Sequence, residues 1–297
     1  MMEPLRIRAV NTAADSENKI HDDRIAARYG FRGGLVPGVT VYGYLAAAVL
    51  GHFGEQWLRR GAMDVRFHQP VYEGDEVIVT LADHESPGRV RVGIAVSGGD
   101  CASAVAWLIE TNDQPATAPV HPSSLRPLPT QVPDRRTPTV ERLAPGTVLV
   151  PLSQPLDLAQ SRISAPLDPA IVVHVTGTRG NALARFAHPA VLLALANEIF
   201  VKNYELGPWI HSSSEVRKFS AARDGEHIYT SAKVEDRFER KGHEFVVLDV
   251  VIAALNGSTT DIGIASGDVA PTQNDVRIVE RIRHTAIWRP RLTEMGL

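Results

Sequence analysis

A single cysteine, Cys101, occurs in 297 residues. An intrachain disulfide and a cysteine-rich zinc site are therefore excluded, and a reducing cytoplasm is the expected setting. Aromatic residues are few, at 6%, and the 22% of charged residues nearly cancel to a net charge of −3. Such a balance gives no pull towards nucleic acid or an anionic membrane, and neither partner is expected. No run reaches the roughly 18 apolar residues of a membrane span, and the opening MMEPLRIRAV has no apolar core of the secretory kind. Motifs with fixed chemistry are missing too: there is no G-x-G-x-x-G behind a strand, no P-loop and no G-x-S-x-G elbow. The histidines are scattered without a spacing such as H-E-x-x-H, so no metal is expected. The glycines of GFRGG, Gly30–Gly34, lack a following Lys-Ser or Lys-Thr and read as a turn before a helix.

What is present begins with SENKIHDDRIAARYGFRGGLVPG, Ser16 to Gly38. It offers an imidazole, His21, and a Pro37-Gly38 step that opens the run VTVYGYLAAAVLGHF, apolar nearly all round and so expected to be a helix buried within its own domain, with Gly61 as a stop. The first N–H groups of such a helix have no partner within it and lie at the positive end of its dipole. A carbonyl oxygen gaining negative charge would be stabilised there. Strand-like runs follow near Met63–Phe67, Asp75–Asp83, Arg89–Val96 and Ala102–Glu110, separated by Gly and Pro turn signals.

Asn18, Ile20, His21, Ala27, Phe31, Leu35, Val36 and Gly38 stand in register with the pattern G-D-x-N-P-[IV]-H-x5-A, Phe, [IV]-[AV]-H-G. Downstream, VRFHQPVYEGD, Val65 to Asp75, is similar to V-R-F-x-x-P-V-x-x-G-D. On these two motifs the chain resembles the MaoC-like (R)-specific enoyl-CoA hydratases, a hot-dog family. Three positions depart: the family's catalytic Asp falls on Ser16, its Pro on Lys19, and the His of its His-Gly step on Pro37. The resemblance implies an α+β hot-dog fold, in which an antiparallel sheet wraps a long buried helix. It also implies water addition to, or removal from, an acyl thioester of coenzyme A or a carrier protein, with no cofactor besides the thioester itself.

Domain organisation follows from composition. Between Thr111 and Gly146 eight prolines occur and large apolar residues are few, the mark of a linker. The second half repeats the first at an offset near 151, with Val65 meeting Val216, Arg66 meeting Arg217, Gly74 meeting Gly225 and Pro37 meeting His188. ARFAHPAVLLALANEIFVKNYELG, Ala184 to Gly207, stands in for the helix; His227–Asp236, His243–Leu255 and Asp275–Trp288 read as strands. The expected architecture is a double hot-dog: residues 1–112, a linker 113–146, and residues 147–297. Such a pseudo-dimer serves equally as a monomer or within a homodimer.

The resemblance implies His21 as acid/base. With Ser16 at the family's Asp position, the acid partner is open between Asp15 and Glu17, which flank it, and then Asp22 and Asp23. Ser16, Asn18, Gly38, Val39 and Arg66 are the candidate substrate contacts; Asn18 also suits a cap and Gly38 a turn. Arg66 and Arg217 suit either phosphate clamps for coenzyme A or structural ion pairs on strands. His188 offers an imidazole at the second helix. Three activities are compatible with these residues: hydration or dehydration, silent binding of an acyl-CoA or related apolar ligand, and thioester hydrolysis.

Overall fold

A computed structural model describes residues 3–110, 134–158, 186–255 and 276–292. The first half runs β1 (Leu5–Arg8), α1 (Asp23–Ala27), α2 (Gly38–Phe53), α3 (Gln56–Arg60), β2 (Gly61–Phe67), β3 (Glu76–Asp83), β4 (Arg89–Val96) and β5 (Gly99–Leu108). The second runs β6 (Leu152–Pro155), α4 (Pro189–Asn203), β7 (Ile210–Lys218), β8 (His227–Arg240), β9 (His243–Leu255) and β10 (Val276–Arg289).

Every residue of α2 from Val39 to Leu50 is buried, which is what an all-round apolar helix requires. It ends earlier than the expected stop at Gly61. Gly54 takes a φ of 67°, its N–H closes on the Leu50 carbonyl, and the short α3 fills the remaining stretch before β2. The hairpins are set by local chemistry as well. Ser97-Gly98 joins β4 to β5 and Lys241-Gly242 joins β8 to β9, with positive φ at all four residues, as two-residue turns of the mirror-image type need.

All ten strands form one antiparallel sheet in the order β1-β3-β4-β5-β2-β7-β10-β9-β8-β6. The order reads as two copies of one five-stranded pattern joined edge to edge at β2 and β7. Their register carries the internal repeat: Asp64 pairs with Glu215, 151 residues away, with Ala62 opposite Arg217 and Arg66 opposite Ser213 on either side. The pairing is thus symmetric about the Asp64–Glu215 position. Both long helices lie on one side of the sheet and pack against each other, and a single continuous apolar core joins the halves.

Of the proline-rich segment, residues 111–133 lie outside the described residues, and with them the 112/113 boundary. Its described end packs on the second half, where Leu143 is fully buried, the Arg136 N–H donates to Asn203 O and the Glu205 N–H donates to Arg136 O. Residues 184–185 and 275, part of the repeat and of the last expected strand, also lie outside. No helix among the described residues is long and apolar enough to cross a membrane.

Candidate functional site

The approach to α2 is built by backbone-directed side chains. Asn18 caps a 3-10 turn at Lys19–His21, its Oδ1 accepting from the Ile20 N–H. The same side chain grips the other half: Nδ2 donates to Trp209 O at 3.0 Å and Oδ1 accepts from Trp209 N at 3.1 Å. This amide-to-backbone pair pins the segment carrying His21 to the residue just before β7. His21 is then oriented by its Nδ1, which lies 2.6 Å from the Leu35 carbonyl oxygen. A carbonyl only accepts, so the ring proton sits on Nδ1 and Nε2 presents a lone pair, 3.4 Å from the Asn18 side-chain amide nitrogen. Burial lowers the His21 pKa and so favours the neutral ring, opposed in part by the Leu35 carbonyl, which raises it. Gly34 is required here because a Cβ would stand 2.0 Å from the His21 carbonyl oxygen.

His21 and Asn18 open on a cavity of about 230 Å³ whose wall also includes Gly38 at the first turn of α2. Among the described residues the amides of Gly38 and Val39 meet no acceptor, as expected at a helix start without a side-chain cap. Phe67, Trp209, Phe31 and Val41 make much of the remaining wall apolar. The carboxyl-terminal half adds His211. A Cβ on Gly38 would lie 2.8 Å from its Nδ1, so the glycine lets the ring sit directly against the start of the helix.

His211 is buried by an irregularity of β7. Ser214, Val216 and Lys218 point into the protein, and strict alternation would turn His211 outwards. Opposite them, however, Thr285 pairs with Ser213 and the next residue, Ala286, pairs with His211, so Ser212 is an extra residue. This bulge re-aims the imidazole to the inner face. There its ring contacts Phe67 at 4.7 Å and His284 at 4.3 Å between centroids. Nε2 is 2.8 Å from Ser214 Oγ, which is 3.1 Å from His284 Nδ1. Burial pushes His284 down to about 3, and burial together with His284 holds His211 well below the usual range against the opposing pull of the Ser213 backbone, so both rings are neutral. Three buried side-chain atoms at the cavity wall lack a partner among the described residues: His211 Nδ1, Asn197 Oδ1 and Trp209 Nε1. A ligand with both donors and acceptors would satisfy them.

Not every residue expected at the site is there. Asp15 and Glu17 are exposed and off the cavity wall; Asp15 belongs to a turn, and Glu17 pairs with Arg135 at 2.7 Å. Ser16 is off the wall as well, with Oγ 3.3 Å from the Asn18 carbonyl. Asp22 accepts from Ile25 N to cap α1 and Asp23 accepts from Gly34 N at 2.7 Å, so both are committed to the backbone. Among the described residues, then, no carboxylate lines the cavity. The Val39 side chain enters the core, leaving only its amide at the helix start.

Arg66 is exposed and faces the other side of the sheet, where it lines a shallow hollow with Arg89 and Arg91. Its neighbour Val65 takes the inward position, and successive strand residues alternate. Arg217 is on that outer face too, bonded to Asp64 at 2.6 Å. His188 caps α4 as Pro37 precedes α2, but it does not reach the cavity. Burial, helped by the positive charge of Lys218, holds His188 at about 3. Lys218 itself forms a fully buried ion pair with Glu280. Among the described residues no group of three His, Cys, Asp or Glu could hold a metal ion.

No family model matches the chain, and no curated protein matches it. Solved structures do. A MaoC domain protein dehydratase from Chloroflexus aurantiacus is 12% identical with a TM-score of 0.57, over 98% of this chain and 96% of that one. A conserved protein from Mycobacterium tuberculosis with a double hotdog fold is 15% identical with a TM-score of 0.55, over 97% and 96%. An N-terminal dehydratase from the difficidin assembly line is 14% identical with a TM-score of 0.50, over 98% and 94%. At such identities the likeness concerns architecture alone, and on that ground the chain has the double hot-dog fold.

Proposed function

We propose that the protein is a hydratase or dehydratase of α,β-unsaturated acyl thioesters, with His21 as its base. The observation that supports this most is the convergence of His21 Nε2 and the start of α2 at Gly38 on one largely apolar cavity. The thioester oxygen would lie on the Gly38 amide, and the β-carbon would face His21. In hydration, Nε2 takes a proton from water as the water oxygen bonds to the β-carbon, and the π electrons move onto the thioester oxygen as an enolate. The imidazolium then returns that proton to the α-carbon while the enolate re-forms the carbonyl, so water adds across the double bond and the ring ends neutral. One base suffices for this balance, consistent with a cavity wall free of carboxylates among the described residues.

Loss of enoyl absorbance on incubation with crotonyl-CoA and longer enoyl-CoA thioesters tests the reading. Turnover is expected, and His21→Ala should lower kcat by about two orders of magnitude or more. No turnover on any chain length overturns it. The missing carboxylate favours a second reading, a binder of acyl thioesters without turnover; calorimetric binding with no reaction would select it.

A further inference from the structure

We propose that His211, from the carboxyl-terminal half, donates its Nδ1–H to the thioester oxygen beside the Gly38 amide and is the second half of the oxyanion site. This rests on the reading of the cavity as a thioester site. The argument starts from proton counting. Ser214 has one hydroxyl proton and lies between two neutral imidazoles, His211 Nε2 at 2.8 Å and His284 Nδ1 at 3.1 Å. The hydroxyl oxygen could accept from both rings, but its own proton would then have no acceptor among the described residues, so one of those nitrogens donates and the other accepts.

If His211 Nε2 donates, Ser214 must donate to His284 Nδ1, and the His284 proton is left on Nε2, which is buried with no partner among the described residues. A buried N–H without an acceptor is the costlier orphan, whereas a bare nitrogen lone pair is tolerated more readily. The opposite direction moves the unpartnered N–H from His284, which does not line the cavity, to His211, which does, so that a ligand oxygen can accept it: His284 Nδ1–H donates to Ser214, Ser214 donates to His211 Nε2, and the His211 proton must then sit on Nδ1. That atom is buried, also without a protein partner among the described residues, and faces the first turn of α2 at the cavity wall.

A neutral imidazole N–H beside a helix start is an electrophile for a carbonyl oxygen, because it donates without needing to be charged. Desolvation holds the ring in that form. The arrangement also accounts for the bulge at Ser212, which turns the imidazole inwards, and for Gly38, whose lack of a Cβ allows the approach. Pro37, the residue before Gly38, has neither an imidazole nor an N–H, so the donor comes from the other half of the chain.

Two measurements test the proposal. Nitrogen-15 NMR of the intact protein with labelled histidine reads the tautomer with no substitution: His211 should carry its proton on Nδ1, and an Nε2–H tautomer overturns the proposal whatever the enzyme does. In the second, His211→Leu and His211→Asn are compared with wild type, the amide of Asn replacing the Nδ1 donor. His211→Leu should lower kcat for crotonyl-CoA about a hundredfold or more with a smaller change in KM, and His211→Asn should recover about tenfold or more of that loss. Infrared spectra of bound butyryl-CoA with a carbon-13 carbonyl should show the stretch rising in frequency in the Leu variant and returning in the Asn variant. Equal kcat and an unshifted carbonyl in His211→Leu overturn the proposal while leaving the hydratase reading intact. A shifted carbonyl in a protein with no turnover upholds the donor and overturns the hydratase reading, and failure of the wild type to bind any thioester overturns both.

Discussion

Replacing Gly38 by alanine sets two effects of opposite sign against each other. Gly38 does not have a positive φ, so alanine is compatible with its backbone, and at an open helix start the change would stabilise by about 0.4–1 kcal/mol through the unfolded chain. Here the added methyl would lie 2.8 Å from His211 Nδ1, 3.0 Å from its Cβ and 3.1 Å from its Cγ. The ring has little room to yield. It is wedged between Phe67 and His284 and is tied to Ser214. Forcing a methyl into such a contact costs typically about 1–3 kcal/mol, so the net result should be a destabilisation of about 1–2 kcal/mol. The same methyl occupies the space a thioester oxygen needs over the helix start, and misplacement by about 1 Å costs on the order of a hundredfold in rate. Urea unfolding gives the first number and enoyl-CoA hydration the second. A Gly38→Ala protein as stable as wild type or more so, turning over at an unchanged rate, would refute both the packing of His211 on Gly38 and the oxyanion assignment.

Further expectations concern the same elements. Gly34→Ala should destabilise more than Gly38→Ala, about 3 kcal/mol or more, because the obstructing atom at 2.0 Å is the His21 backbone carbonyl rather than a side chain; a smaller loss in urea unfolding than for Gly38→Ala would contradict this. Asn18→Ala should cost about 2–3 kcal/mol by leaving the Trp209 N–H and carbonyl without their partners, and a change within about 0.5 kcal/mol would show that the clamp between halves carries no weight. Acid should destabilise the protein steeply. His188 and His284 are buried with pKa values near 3, so from about pH 6.5 downwards the unfolded chain binds protons that the folded chain refuses; stability is complete above that pH and falls below it. At about pH 4.5 each group has cost a few kcal/mol, with Glu280, raised by burial, acting in the opposite sense; urea midpoints unchanged between pH 7 and 4.5 would contradict the burial of these rings. Because burial also lowers His21, hydration should stay level as pH falls through 6.5 and decline only below, and a fall centred at or above 6.5 would mean a ring exposed to water.

The architecture was legible because its signals are local. An all-round apolar run behind Pro37-Gly38 reads as a buried helix, and alternation broken by turn signals at Gly98-Gly99 and Arg240–Gly242 marks hairpins, whose turns the structure centres on Ser97-Gly98 and Lys241-Gly242. The repeat offset, weak in residue identities, reappears in the β2–β7 register at Asp64–Glu215, since joining two copies edge to edge imposes that symmetry. Half of the site was legible for the same reason: Asn18, His21 and Gly38 lie within one stretch. Asp15 and Glu17 were near in sequence yet are not at the site, because a turn and the pairing with Arg135 carry them outwards. His211 lies far along the chain, and period-two reading of IHSSSEVRK turns it outwards; only the unpaired Ser212 reverses that, and a bulge leaves no mark in the hydrophobic pattern. The Asn18 side chain had a local role on paper, while its grip on Trp209 exists only once the halves meet.

A crystal structure of the protein with a saturated acyl-CoA bound tests the central claim most directly. The account predicts the thioester oxygen within about 3 Å of the Gly38 amide nitrogen and of His211 Nδ1, with the β-carbon facing His21 Nε2. A thioester seated elsewhere, or one in this cavity with its carbonyl turned away from the start of α2, would contradict it.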